Sequence, residues 1–149
     1  MKTTFDWIAT HALHARKDDQ KPNSVSIDLQ KSKYNKKSGH KAEEFIAQKL
    51  TAQGYTICAR NYQRRFGEVD IIAQKDDTVA FVEVKFRNNP LFDVGTIITR
   101  TKQKKMIAIA KYFMATHELD NCAIQFDVAF VFKINGQLST EYIANAFCE

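Results

Sequence analysis

The chain reads as an α/β protein: a mixed central sheet with an antiparallel meander, flanked by helices. Three observations predict this. A stripe at helical spacing, Ala42, Phe45, Ile46, Lys49 and Leu50, apolar but for Lys49, stops at Gly54. Two β-rich runs, Val69, Ile71, Ile72, Ala73 and Val79, Ala80, Phe81, Val82, Val84, flank the polar turn Lys75-Asp76-Asp77-Thr78. A second helical stripe, Met106, Ile109, Ala110, Phe113 and Met114, precedes a further strand-like run over 124–132.

In chain order, residues 1–38 are expected to be an N-terminal extension, flexible or loosely packed, and 39–149 to be the domain. Within the extension, Phe5, Ile8, Ala9, Ala12 and Leu13 keep helical spacing, and residues 24–29 alternate like a strand. The first helix of the domain should run from 38 or 39 to 53, and the first strand over 55–61. The hairpin of the two β-rich runs comes next. Asn88-Asn89-Pro90 breaks its second strand, and a loop holding Phe92, Asp93 and Gly95 follows, of a kind that touches substrate. The second helix is predicted over 101–116. In the strand over 124–132, Phe126, Val128, Phe130 and Phe132 share one face, and Asp127 points away to pair with an Arg. Asn135-Gly136 signals a turn, and residues 141–147 should close the domain as a short helix.

The 149 residues suit one main domain able to bury a core. No apolar run approaches the ~20 residues that span a bilayer, and the N-terminus lacks the apolar region of a signal peptide. No membrane association is therefore expected. The cysteines, Cys58, Cys122 and Cys148, are odd in number and without metal-ligand spacing. A reducing cytoplasm is the simplest setting, with Cys58 in the core. The net charge of +5 is uneven: residues 1–38 carry eight Lys/Arg against four Asp/Glu, and residues 39–149 fourteen against thirteen. A nucleic-acid partner for the domain thus rests on clustering. Arg60, Arg64 and Arg65 precede the hairpin, Lys85 and Arg87 close it, and Arg100, Lys102, Lys104 and Lys105 follow. The last three lysines lie in the first turns of the second helix, where the dipole disfavours cations. Phosphate contacts or a plain solvated face would each explain them.

The hairpin carries the chemistry. With a loop symmetric about Asp76-Asp77, Asp70 falls opposite Glu83 and Glu68 opposite Lys85, all four on one side. Val69, Ile71, Val82 and Val84 fall on the other, as a buried apolar face. Facing carboxylates repel, and a divalent cation between them would reverse that term. Mg²⁺ in particular takes oxygen ligands from one or two carboxylates, phosphate and water. Lys85 adds a positive charge where an anion or attacking water would sit. A surface hairpin with a Glu68–Lys85 ion pair is the plainer reading of the same residues.

An Asp on one strand and Glu-x-Lys on the next resembles the signature of the restriction-endonuclease-like, PD-(D/E)xK, nucleases. The longer string resembles the YraN family of small bacterial proteins, itself similar to archaeal Holliday-junction resolvases. That string comprises Ala42-Glu43, Leu50-x-x-x-Gly54-Tyr55, Arg60-Asn61-Tyr62, Gly67-Glu68-x-Asp70-x-Ile72, Phe81-Val82-Glu83-Val84-Lys85, Arg100-x-Lys102 and Phe126-Asp127-Val128. It covers the chain from about Gly39 onward.

The resemblance implies a restriction-endonuclease-like fold and a metal-dependent endonuclease cutting phosphodiester bonds in nucleic acid, expected to be DNA, with RNA and the choice between linear and branched substrates left open by the sequence. Asp70 and Glu83 would hold Mg²⁺ or Mn²⁺ together with the backbone carbonyl of Val84. Lys85 would orient or help deprotonate the attacking water, and Glu43 would stand at the edge of the site. A homodimer acting on a symmetric junction is the matching assembly. The rivals are a nucleic-acid-binding module with weak or absent catalysis and a protein-interaction adaptor that keeps the site unused.

Overall fold

A computed structural model describes residues 24–87 and 98–149. The expectations for residues 5–13 and for the loop with Phe92, Asp93 and Gly95 lie outside the described residues. The chain divides into two units, Met1–Lys33 and Tyr34–Glu149. Of the first, only residues 24–33 are described, and they are helical.

The elements are α1 (Ser24–Ala52), β1 (Thr56–Arg64), β2 (Gly67–Lys75), β3 (Thr78–Arg87), α2 (Arg100–Thr116), β4 (Ala123–Ile134) and β5 (Gln137–Phe147). The strands form one five-stranded sheet in sequence order. Pairing is antiparallel except between β3 and β4, which run parallel. A parallel pair needs a crossover, and α2 lies in it. This is the mixed α/β architecture the sequence predicts, with the meander β1–β3 running from one edge of the sheet to its central strand.

The two helices cover opposite faces of the sheet. Ala42, Ile46, Ala47 and Leu50 of α1 pack on Ile71, Ala73, Ala80, Val82, Ala129 and Val131. Met106, Ile109, Ala110 and Phe113 of α2 pack on Val69, Ile72, Val79, Phe81 and Phe126. Leu50 and Ile46 are each 1% exposed, so each contributes about 1.5–3 kcal/mol of apolar burial. Gly54 ends α1 at φ 89°, and Tyr55 N–H donates back to the Leu50 carbonyl at 3.0 Å. That is the left-handed stop the glycine suggested.

Four local expectations are corrected. Helix α1 begins at Ser24, so residues 24–29 are helical. Their six-residue alternation is outweighed by a proline-free helical stretch of 29 residues. Residues 141–147 belong to strand β5. Asn135 and Gly136 both have positive φ, 50° and 82°, and make a tight hairpin turn that folds β5 onto the open edge of β4. Cys58 is exposed, at the register shift between Ile57 and Ala59.

Asp127 is fully buried without an Arg partner among the described residues. It accepts from Tyr142 Oη at 2.6 Å, Asn145 N–H at 2.9 Å and Gln125 Nε2 at 3.0 Å. Asn145, at φ 50°, falls in the register shift of β5 opposite Asp127. The carboxylate therefore pins a β-bulge. Burial and the Asp127 charge together push the Tyr142 hydroxyl pKa up.

Candidate active site

Side chains on β2 change faces at Asp70. Ile71 and Ala73 pack on the α1 side and Ile72 on the α2 side, as strict alternation requires. Val69, which should share the side of Ile71, packs instead with the α2 cluster. Strand β1 turns over at the same level: Arg60 pairs Ile71, Tyr62 pairs Val69, and Asn61 between them is left-handed at φ 49°. Asn tolerates that region better than most residues. The expectation that Val69 joins Ile71, Val82 and Val84 on one face is thus corrected by this paired twist.

The twist opens the sheet where the candidate residues lie. Pairing of β2 with β3 runs from Lys75↔Thr78 to Ile71↔Val82, the register expected from the sequence, and its continuation sets Asp70 across from Glu83. The next backbone donor, Val84 N–H, donates to Asp70 Oδ2 at 2.7 Å. Asp70 therefore caps the end of a ladder and is held in place by it. Burial pushes its pKa up to about 6, with Glu83 and then Glu43 adding to the rise and Val84 N–H and Lys102 opposing it. The same interactions place Asp70 near Glu83, Glu43 and Lys102.

Glu83 is 2% exposed. Its Oε1 accepts from Lys85 Nζ, and its Oε2 lies 2.8 Å from Lys102 Nζ, an ion pair without hydrogen-bond alignment. The Glu68–Lys85 pair of the plainer reading is absent among the described residues: Lys85 turns to Glu83, and the Glu68 carbonyl accepts from Lys102 Nζ at 3.2 Å. Glu43, on α1, has Oε2 buried without a hydrogen-bond partner, with His40 Nδ1 3.8 Å away. Lys102, which the sequence offered only as one of several cations, is a member of this centre. The spacing Arg100-x-Lys102 was the signal, and only the packing of α2 shows its target.

Helix α2 reaches the centre through two local devices. Thr99 caps it, its hydroxyl accepting from Lys102 N–H at 3.2 Å. Gly67 lets it approach: a Cβ there would lie 3.0 Å from Lys105 Cβ and 3.4 Å from the Lys105 carbonyl. The close packing forms a groove of about 390 Å³ lined by Arg64, Arg65, Phe66, Glu68, Lys102 and Lys105. The Arg64 guanidinium lies over the Tyr62 ring, 4.1 Å from its centroid, a stacking that holds the cation in place.

Not every predicted cation joins this groove. Arg60 is directed to Glu44 of α1, Nη1 to Oε2 at 2.5 Å, with Nε and Nη2 buried. It is a strut between β1 and α1, because its partner Ile71 points to the α1 face. Arg87 ends β3 and donates to the Phe86 carbonyl at 3.1 Å. Arg100 and Lys104 are exposed on α2, outside the groove lining.

The donor set can be tested for a divalent cation. Among the described residues no three His, Cys, Asp or Glu side chains form a ready metal cage. Two hard carboxylates, Asp70 and Glu83, come across from each other where the β2–β3 register continues, and burial first and the Glu83 charge second hold the Asp70 pKa up. A buried, unpartnered Glu43 oxygen stands near them. With the Val84 carbonyl as third ligand, such a set fits an ion that keeps much of its water, as Mg²⁺ does.

The sequence model of "Uncharacterised protein family UPF0102" matches residues 42–131, which include the whole centre. The chain belongs to the UPF0102, or YraN, family. Its UPF0102 relatives include a protein of Treponema pallidum (strain Nichols), 43% identical over 98 residues, covering 64% of this chain and 78% of the relative. A Clostridioides difficile (strain 630) protein is 36% identical over 114 residues, covering 76% and 98%. One from Nitrosomonas europaea is 40% identical over 112 residues, covering 74% and 93%. All three carry the name UPF0102 protein, so membership of the UPF0102 family identifies kin and leaves the chemistry to the site.

Proposed function

We propose that this protein is a Mg²⁺- or Mn²⁺-dependent endonuclease that hydrolyses phosphodiester bonds in nucleic acid, with DNA, and branched DNA in particular, as substrate. One observation carries the reading: Asp70, Glu83 and Lys85 converge where the β2–β3 ladder opens, and the Arg64–Arg65–Lys102–Lys105 groove lies alongside. Asp70, Glu83 and the Val84 carbonyl would hold the ion. What the bound ion supplies is Lewis acidity at the phosphate and a more acidic water.

The chain's own groups do the rest. Lys85 orients the attacking water and balances charge that builds on the phosphate. Glu43, with a free buried oxygen, positions that water from the α1 side. The groove cations hold the flanking backbone, a salt-sensitive interaction without sequence preference. A symmetric branched substrate would engage two copies of the chain. No helix of the described residues is long and apolar enough to cross a membrane, and three free cysteines suit the reducing cytoplasm.

A second reading has its own observation. Both Glu83 oxygens already meet an ammonium group, a balance suited to a nucleic-acid-binding module without catalysis. The two separate on a substrate panel: linear, flapped and four-way DNA and structured RNA, each with Mg²⁺, Mn²⁺ or chelator. The nuclease cuts at least one substrate with metal, and Asp70→Ala abolishes the cut. Binding without cutting on every substrate selects the module.

A further inference from the structure

A second cationic site lies on the other face of the sheet. Lys37 and Lys41 of α1 and Lys133 of β4 surround a depression of about 410 Å³ with Ser38, Phe86 and Leu138 in its wall. No carboxylate among the described residues lines it. Among the described residues none of the three lysines has an ion-pair partner. Lys37 and Lys41 stand four apart on one helix, a like-charge spacing that is mildly unfavourable by itself. Phe86 and Leu138 pack against the α1-side core, so the floor is apolar. Three cations over such a floor repel one another and favour an anion.

Its position links it to the centre. Phe86 follows Lys85 on β3, and alternation sends the two side chains to opposite faces: Lys85 to Glu83, Phe86 to the α1 side. Lys41 lies two residues before Glu43 on α1. The Arg64–Lys105 groove lies on the α2 side. The centre therefore sits between two basic depressions, one on each face of the sheet.

We propose that the Lys37–Lys41–Lys133 pocket binds the phosphodiester backbone of the same nucleic acid, so that a substrate crossing the centre is held on both sides. The lysines supply point charges to phosphate oxygens, and Ser38 a hydroxyl donor. The floor of Phe86 and Leu138 suits the apolar face of a sugar or unpaired base. This rests on the nucleic-acid reading above, and it predicts a length requirement: a short duplex fills the groove alone, while a longer or branched one reaches both sites.

The test measures binding in chelator, so cleavage plays no part. Fluorescence anisotropy is followed against salt for a duplex of roughly 8 bp and a four-way junction with arms of about 15 bp, lengths chosen to reach one site or both. The proteins are wild type, a Lys37→Gln/Lys41→Gln/Lys133→Gln variant and an Arg64→Gln/Arg65→Gln/Lys105→Gln variant, with melting curves checking the fold. The three lysines are exposed, so their variant should fold. It is expected to lose roughly two to three units of salt slope on the junction and none on the short duplex, while the groove variant loses affinity on both. A lysine variant that matches wild type on the junction, or weakens both substrates equally, overturns the proposal. So does titration showing that inorganic phosphate fills the pocket without displacing the junction. If wild type binds neither substrate, the nucleic-acid reading falls with it.

Discussion

Replacing Asp70 with Asn should make the protein more stable at neutral pH. The Asp70 carboxyl is held at about 6 in the folded chain, against 3.8 for the ordinary group, first by burial and then by Glu83. A raised folded pKa means that the native state binds the proton more tightly than the unfolded chain does. Stability is then complete below about pH 4 and falls as pH rises to about 6, beyond which the loss is constant. About two pKa units correspond to about 3 kcal/mol. Asn mimics the protonated acid, and its Oδ1 can still accept the Val84 N–H.

The expected difference between Asp70→Asn and wild type is near zero at pH 4 and about 3 kcal/mol in favour of Asn at pH 7.5. That corresponds to on the order of 10 °C in Tm for a domain of this size. Denaturant melts in chelator at pH 4, 5, 6 and 7.5 measure it; carboxylates that do not interact with Asp70 cancel between the two proteins, and Glu83 and Glu43 titrate together with it. Saturating Mn²⁺ should narrow the gap, because wild type alone gains ligand-linked stability. An Asp70→Asn protein no more stable than wild type at pH 7.5, or a gain independent of pH, would refute a buried Asp70 carboxyl beside Glu83.

Other substitutions probe its surroundings. Lys102→Met frees the Glu83 Oε2 from its ammonium partner and should tighten Mn²⁺ binding by several-fold in calorimetry while weakening nucleic-acid binding. Gly67→Ala forces α2 outward against the 3.0 Å contact with Lys105, and should cost about 1 kcal/mol and lower affinity for nucleic acid in anisotropy. Tyr142→Phe leaves the buried Asp127 short of one donor. It should lose about 1–3 kcal/mol in a denaturant melt, with nucleic-acid affinity unchanged.

Much of this protein is legible in its residues because two periodicities are strong. The α2 stripe from Met106 to Met114 and the alternation on β3 place their side chains correctly, and the turn at Asp76-Asp77 sets the β2–β3 register. That register brings Asp70 across from Glu83. The twist at Asn61 and Asp70 was not readable, since period-two counting assumes an unbroken strand; Val69 therefore lands on the other face. Lys102 was hidden for a different reason: only the tertiary approach of α2 over Gly67 aims it at Glu83. Strand β5, with Ala144 and Ala146, looks helical locally and is a strand because β4 offers an edge. Arg60 looked like part of a basic cluster, and a partner sixteen residues earlier, Glu44, decides otherwise.

The central claim is that metal at Asp70 and Glu83 works with Lys85 to cut nucleic acid. Single-turnover cleavage of a labelled four-way junction with Mn²⁺, wild type beside Lys85→Met, tests it most directly when junction and Mn²⁺ affinities are measured on the same samples. The predicted result is cleavage by wild type and at least about a hundredfold slower cleavage by Lys85→Met, with junction binding comparable and Mn²⁺ bound by Lys85→Met at least as tightly as by wild type, since Glu83 loses an ammonium partner. Equal rates for the two proteins, or a wild type that binds both ligands and leaves the junction intact, would contradict it.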